Sequence, residues 1–104
     1  MNAESWRDAT KSFGELSAAA KAQWLADLVA ALTLAARETY GGDGAGIHDP
    51  AGLRRINELL HRVANQLRHQ LRGESAFPDE IFFAMLQNET AILNIDFRKL
   101  KALM

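Results

Sequence analysis

The sequence has no cysteine, no apolar run long enough to span a membrane, and no apolar segment near its amino terminus. Without cysteine the chain can form no disulfide, no thiolate nucleophile and no Cys-based zinc or iron–sulfur site. Its longest apolar-looking stretch is interrupted by Asp27, Thr33 and Arg37, and a secretory h-region is missing. We therefore expect a cytoplasmic protein without a membrane partner.

The chain also has little excess charge, since 12 basic and 13 acidic residues leave a formal net charge of −1. This balance gives no global electrostatic reason to expect a polyanionic partner. Hydrophobic residues make up 48% of the sequence and charged residues 24%, which excludes the composition typical of disordered chains. A length of 104 residues suits one hydrophobic core, so we expect residues 1–104 to form a single domain.

No segment alternates apolar and polar residues as a strand would, and apolar residues recur instead at helical spacing. Glycine-marked breaks at residues 41–46 and 73–76 divide the chain into three blocks. The sequence therefore predicts an all-α fold, an antiparallel bundle with short helical segments at both termini. Its three main helices are expected at about residues 18–40, 50–72 and 78–88.

Capping residues mark the ends of the first two main helices. Ser17 is a predicted N-cap, because its hydroxyl can accept a hydrogen bond from a free first-turn N–H group. Asp49 and Pro50 suit the start of the second helix, since a carboxylate caps and proline fits the first helical position. Gly73 suits the left-handed position that follows a helix.

The carboxyl-terminal segment poses a choice between a break and one long helix. An unbroken helix would place Glu89 and Asp96 inside the apolar stripe, so we expect a break between residues 89 and 95. Asp96 would then cap a last short helix, with Ile95 and Leu100 as its hydrophobic staple. The alternative is a continuous helix whose acidic residues face a partner.

Helical periodicity also predicts which side chains form the core. In the first main helix these are Trp24, Leu25, Leu28, Val29, Leu32, Ala35, Ala36 and Tyr40. In the second they are Leu53, Ile56, Leu59, Leu60, Val63, Ala64, Leu67 and Leu71. In the third they are Ile81, Phe82, Met85 and Leu86, whereas Leu34 and Phe83 fall outside the predicted core.

The helix predicted at 50–72 is basic on the side opposite its apolar residues. This segment holds five arginines and one acid, while the rest of the chain holds seven basic and twelve acidic residues. The predicted interaction surface consists of Arg54, Arg55, His61, Arg62, Asn65, Arg68, His69 and Arg72.

Two interpretations of this basic face are open. Guanidinium groups suit phosphate and carboxylate recognition, so the face could bind nucleic acid or an acidic protein. The alternative, which we favour, is a solvated face that is neutralised by Glu58 or by acids of the neighbouring helix. Specific DNA readers usually add a helix-turn-helix and a basic domain, and the sequence shows neither.

Two motifs resemble metal or phosphate sites only weakly. Glu58 and His61 have the Glu-x-x-His spacing of di-metal bundles, but such a centre needs a second copy and two further glutamates. The glycine-rich segment 41–50 leads into a helix, yet no strand precedes it and the phosphate-binding lysine is missing. We therefore expect no metal and no cofactor, and a plain interhelical loop.

Three polar residues, Asn57, His61 and Asn65, follow one another along the border of the apolar seam. Because buried amides must be hydrogen-bonded, we expect a polar bridge from this ridge to the first main helix, at Thr33 or Arg37. A ligand site at the ridge is the less favoured alternative.

These observations favour a small non-catalytic interaction protein that binds a protein partner or associates with itself. Homodimerisation is expected because a three-helix core has little room for every apolar residue. The terminal segments could dock on another chain through Trp6, Phe13, Phe97 and Leu100. Nucleic-acid binding is the second hypothesis and a metal-dependent helical-bundle enzyme the third. The residues carry no family resemblance that would choose among them.

Overall fold

The chain forms five helices, as seen in a computed structural model that describes residues 5–40, 50–74 and 77–104. The helices are α1 (Trp6–Gly14), α2 (Ala18–Tyr40), α3 (Pro50–Leu71), α4 (Asp79–Ile92) and α5 (Phe97–Leu103), and these described ranges contain no strand. The predicted bundle of three main helices with short helical ends is confirmed. The third main helix is longer than predicted, because α4 continues past residue 88 to Ile92.

The starts of α1 and α2 follow the local capping rules. The Ser17 hydroxyl accepts a hydrogen bond from the Ala20 amide at 3.2 Å, as expected of an N-cap. Ser5 caps α1 in the same way, accepting from the Asp8 amide at 3.2 Å. Pro50 is the first residue of α3, as predicted, while its proposed cap Asp49 lies outside the described residues.

Two helices end in the same left-handed motif. After α3, Gly73 has φ 74° and the Glu74 amide donates to the His69 carbonyl at 2.8 Å. After α4, Asn94 has φ 57° and the Ile95 amide donates to the Thr90 carbonyl at 2.9 Å. Both patterns satisfy carbonyls that a helix end leaves free, so both are Schellman motifs.

The break between α4 and α5 therefore lies within the predicted interval, and the alternative of one long helix is wrong. Asp96 occupies the N-cap position of α5, although its side chain makes no capping hydrogen bond. Ile95 and Leu100, the predicted staple, are both buried. Their burial fixes the direction in which the chain enters α5.

Helix α2 lies at the centre of the bundle and contacts both α3 and α5, while α1 packs on α4. Ion pairs tie its two ends to other elements, Lys21 to Asp79 at 3.3 Å and Glu38 to Lys99 at 3.4 Å. Most of the core side chains predicted for α2 are buried, with Ala31 added: Leu25, Leu28, Ala31, Leu32, Ala35 and Ala36. Trp24 and Val29 pack partly buried against this core, and the predicted burial of Tyr40 lies outside what the structure describes.

The apolar residues of the termini are part of this core, so the expectation that they dock on another chain is wrong. Phe13, Phe97 and Leu100 are buried, and Trp6 packs against the core. Phe83, which was expected outside the core, is only 2% exposed. The Phe83 ring packs against four other aromatic rings, whose centroids lie 5.1 to 6.3 Å from its own: Phe13, Trp24, Phe82 and Trp6.

Two predicted core residues are instead exposed. Leu71 is 70% exposed because it lies in the last turn of α3, and Ile81 is 56% exposed because α4 turns Phe83 inward in its place. Leu34 is exposed, as predicted. The buried line of α3 runs through Ile56, Leu59, Val63 and Gln66, with Leu53, Leu60 and Leu67 packed beside it.

Candidate interaction surface

The basic side chains of α3 divide into two rows, because residues seven apart lie nearly one above the other on a helix. Arg55, Arg62 and His69 form a border row at the edge that faces α4. Arg54, His61 and Arg68 form an outward row, and Arg72 continues it just past the end of the helix. The expectation that all of them point away from the core is therefore correct only for the outward row.

The border row is paired with acidic residues, and the single carboxylate of Glu89 offsets one of the two arginine charges. Arg55 Nε lies 2.9 Å from Glu89 Oε2, and Arg62 Nη1 lies 3.9 Å from the other oxygen of the same carboxylate. His69 Nδ1 lies 3.3 Å from a carboxylate oxygen of Glu74. Half of the basic face thus matches the favoured interpretation, in which acids outside the helix neutralise it.

Glu89 is the residue that makes this possible. Its side chain is only 13% exposed, while those of Arg55 and Arg62 are 45% and 52% exposed. A mostly buried carboxylate needs partners, and the two guanidinium groups supply them. Glu58, the acid on α3 itself, forms no ion pair within the described segments.

The outward row is different, since its members form no ion pair with any residue that the structure describes. Arg54, His61, Arg68 and Arg72 are all exposed. Successive members of the helical part are about 10.5 Å apart along the axis. Asn65 lies half-buried beside this row. The row offers guanidinium donors to a carboxylate or a phosphate.

The predicted polar bridge to α2 is wrong. The Thr33 hydroxyl donates to the Val29 carbonyl of its own helix at 2.8 Å, and Asn57 and His61 point to solvent. Gln66 is the polar residue that α3 buries, and its Nε2 donates to the Phe77 carbonyl at 3.0 Å. Sequence reasoning missed Gln66, although its position three residues after Val63 continues the buried line.

A small apolar cleft lies between α3 and α4. It has a volume of about 310 Å³ and is lined by Arg62, Phe77, Ile81, Phe82 and Met85. Phe77 is 50% exposed, like Ile81, so the mouth of the cleft is apolar. Only Arg62 brings charge to it, and Glu89 binds that charge.

The Glu-x-x-His pair that resembles a metal motif lies on the surface of the bundle. Glu58 and His61 are both exposed on the outer side of α3. Within residues 5–40, 50–74 and 77–104, no three His, Cys, Asp or Glu side chains come together as metal ligands would. Residues 41–49, which contain most of the glycine-rich segment, lie outside the described part of the chain.

No protein-family model, curated protein or solved structure matches this chain. None of the described helices is both long and apolar enough to cross a bilayer. The interaction surface must therefore be interpreted from its own side chains.

Proposed function

We propose that the chain is a small non-catalytic interaction protein that binds an acidic protein partner through the outward row of α3. The observation that carries this proposal is the contrast between the two rows of the same helix. Glu89 and Glu74 pair with the border row, while Arg54, His61 and Arg68 stand exposed in register and form no ion pair among the described residues, although Glu58 lies beside Arg54.

The spacing of the outward row suits a partner helix. Carboxylates at every seventh position of such a helix would recur at the same interval of about 10.5 Å. An exposed ion pair contributes about 0.2–1 kcal/mol, so three pairs alone contribute at most about 3 kcal/mol and support binding no tighter than about 6 mM. The partner therefore needs an apolar contact as well.

Leu71 supplies that contact. It is 70% exposed and lies three residues after Arg68, so the two side chains are neighbours on the helix surface. Covering a side chain of this size contributes about 1.5–3 kcal/mol when burial is complete. Together with the ion pairs this gives about 2–6 kcal/mol, and an expected dissociation constant on the order of 1 mM at low ionic strength.

Nucleic acid fits the surface less well. Because Arg55 and Arg62 share the carboxylate of Glu89, the arginines of the surface without an ion pair among the described residues are Arg54, Arg68 and Arg72, and the exposed Glu58 lies between the two rows. Salt-dependent binding to duplex DNA grows with the number of phosphates neutralised, and three contacts give a shallow dependence. The formal net charge of −1 adds no attraction at long range.

The test uses two synthetic helical peptides of identical composition, one with glutamates at three successive seventh positions and one with the glutamates moved out of register. NMR titration at low salt should show at least about tenfold tighter binding of the first peptide, a difference of about 1.4 kcal/mol. Arg54→Glu with Arg68→Glu should abolish that preference.

A matched control separates register from net charge. Arg37 and Arg98 are exposed on α2 and α5, so Arg37→Glu with Arg98→Glu changes the net charge equally and should retain the preference. Equal binding of both peptides, or equal loss in both variants, contradicts the proposal. Steeply salt-dependent binding of random duplex DNA without peptide binding would favour the nucleic-acid hypothesis instead.

A further inference from the structure

The outward face of α4 carries no charge over three turns. Its exposed positions after Glu80 are Ile81, Ala84, Gln87, Asn88, Ala91 and Ile92, and α4 is described along its whole length. Ile81 is 56% exposed and Ile92 47% exposed. A helix that is apolar on nearly all sides normally has every side covered, whereas this one meets solvent along one face.

The larger residues of this face follow the spacing of a helix-packing seam. Ile81, Met85, Asn88 and Ile92 are separated by four, three and four residues, which places them in one stripe along the helix. The stripe is about 17 Å long. Ala84 and Ala91 lie beside it and leave room for another backbone to approach closely.

We propose that this face binds a second copy of the chain, with the two α4 helices antiparallel. In a two-fold contact each patch meets itself, so a charged patch would oppose its own charge, and an uncharged patch does not. The stripe is also self-complementary when reversed. Ile81 of one copy then meets Ile92 of the other, and Met85 meets Asn88.

Charges at the borders of the face agree with this arrangement. Along one border Arg7 lies beside Gln87 and Asn94, and it also lines one groove with Lys11 of α1 and with the exposed Glu80 at the start of α4. Antiparallel pairing brings Glu80 of each copy to Arg7 of the other. Along the other border Glu89 pairs with both Arg55 and Arg62, which lowers the net positive charge there to about that of one arginine.

The size of the face predicts a weak dimer. It supplies fewer side chains than the 20–30 per partner of a standard interface, which places the contact in the transient class below about 1,200 Å². Asn88 in the seam sets register and direction at a cost in affinity. We expect a dissociation constant on the order of 10–100 µM, equivalent to about 5.5–7 kcal/mol.

Sedimentation velocity across this concentration range tests the proposal. As concentration rises, the sedimenting mass should increase from that of one chain to that of two. Ile81→Lys with Ile92→Lys should leave the chain monomeric throughout. Leu34→Lys with Leu71→Lys is the matched control, because both leucines are comparably exposed on other helices and their replacement should leave the dimer intact. Asn88→Leu should lower the concentration at the midpoint of the monomer–dimer transition by at least about tenfold.

A wild-type chain that stays monomeric throughout overturns the proposal, as does a dimer that survives the α4 pair of substitutions. Far-UV circular dichroism and thermal unfolding of each variant show that the fold is kept. The acidic-peptide binding proposed for α3 uses a different face, so Ile81→Lys with Ile92→Lys should leave that binding unchanged.

Disulfide trapping tests the direction of pairing, since the chain has no cysteine of its own. Ile81→Cys mixed with Ile92→Cys should form a mixed disulfide under mild oxidation, because antiparallel pairing places these positions opposite each other. Ile81→Cys alone should not cross-link, because its two copies lie about 17 Å apart along the axis. The reverse pattern would show parallel pairing and overturn the antiparallel arrangement.

Discussion

Helices α3 and α4 lie side by side and bury their inner sides in the same core, yet their outward faces have opposite character. The outward face of α3 carries Arg54, His61, Arg68 and Arg72, whereas that of α4 carries Ile81, Ala84, Asn88 and Ile92. A solvent-facing surface needs neither an unpaired basic row nor an apolar stripe to be stable. This difference suits the two separate binding roles that we propose, one for an acidic partner and one for a second copy.

The largest expected effect concerns the inward side of α4. Phe83→Ala should lower the free energy of unfolding by about 3–5 kcal/mol, because it removes the ring at the centre of the aromatic cluster and leaves a cavity. Urea denaturation followed by circular dichroism measures it. Leu34→Ala, at an exposed position, should cost less than about 1 kcal/mol. Similar losses in the two variants would contradict the partition between inward and outward sides.

The next largest effect on stability is expected at the left-handed residues that follow α3 and α4. Gly73→Ala should destabilise the protein by about 1–2 kcal/mol, because a β-carbon is strained at φ 74°. Gly73→Asn should cost less, since asparagine already occupies the equivalent left-handed position at Asn94. Thermal unfolding measures the stability of the two variants. An alanine variant that is more stable than the asparagine variant would show that residue 73 is not left-handed in solution.

Glu89→Gln tests the pairing of the border row. It should cost about 1 kcal/mol or less, because the two arginines that it pairs with are about half exposed. It should also strengthen binding of random duplex DNA at low salt, since Arg55 and Arg62 lose their carboxylate. Glu80→Gln, at an exposed position without an ion pair among the described residues, should change neither quantity in the monomer.

The smallest effects are expected where the outward faces themselves are changed. Leu71→Lys and Ile81→Lys should each alter the free energy of unfolding by less than about 0.5 kcal/mol at concentrations where the chain is monomeric. Chemical denaturation at low micromolar concentration measures this. A loss above about 2 kcal/mol in either variant would show that the side chain belongs to the core.

The sequence predicted the helices well because their signals are local. The hydroxyl of Ser17 and the left-handed Gly73 act within one turn of the residues they cap, so neither depends on the tertiary fold. The orientation of α4 could not be obtained in this way. With apolar residues on nearly every side, Ile81 and Phe83 were equally good candidates for the core, and only packing against α1 and α2 selects Phe83.

The sequence identifies the basic residues of the candidate surface, but not which of them fall in the border row and which in the outward row. All the basic side chains of α3 were identified from the sequence, because charge needs no tertiary information. Which of the arginines are paired depends on Glu89, which lies 34 residues after Arg55. The uncharged face of α4 was missed because Ile81 and Met85 were assigned to the interior, so no exposed stripe was apparent.

One measurement tests the contrast between the two helices most directly. In ¹⁵N–¹H spectra recorded from low micromolar to near-millimolar chain concentration, dilution should shift the amides of Ile81, Asn88 and Ile92 while leaving those of Arg54 and Arg68 in place. Adding the register-matched acidic peptide should do the reverse. The account would be contradicted if the chemical shifts of the α4 amides did not depend on chain concentration, or if the changes were spread equally over both helices.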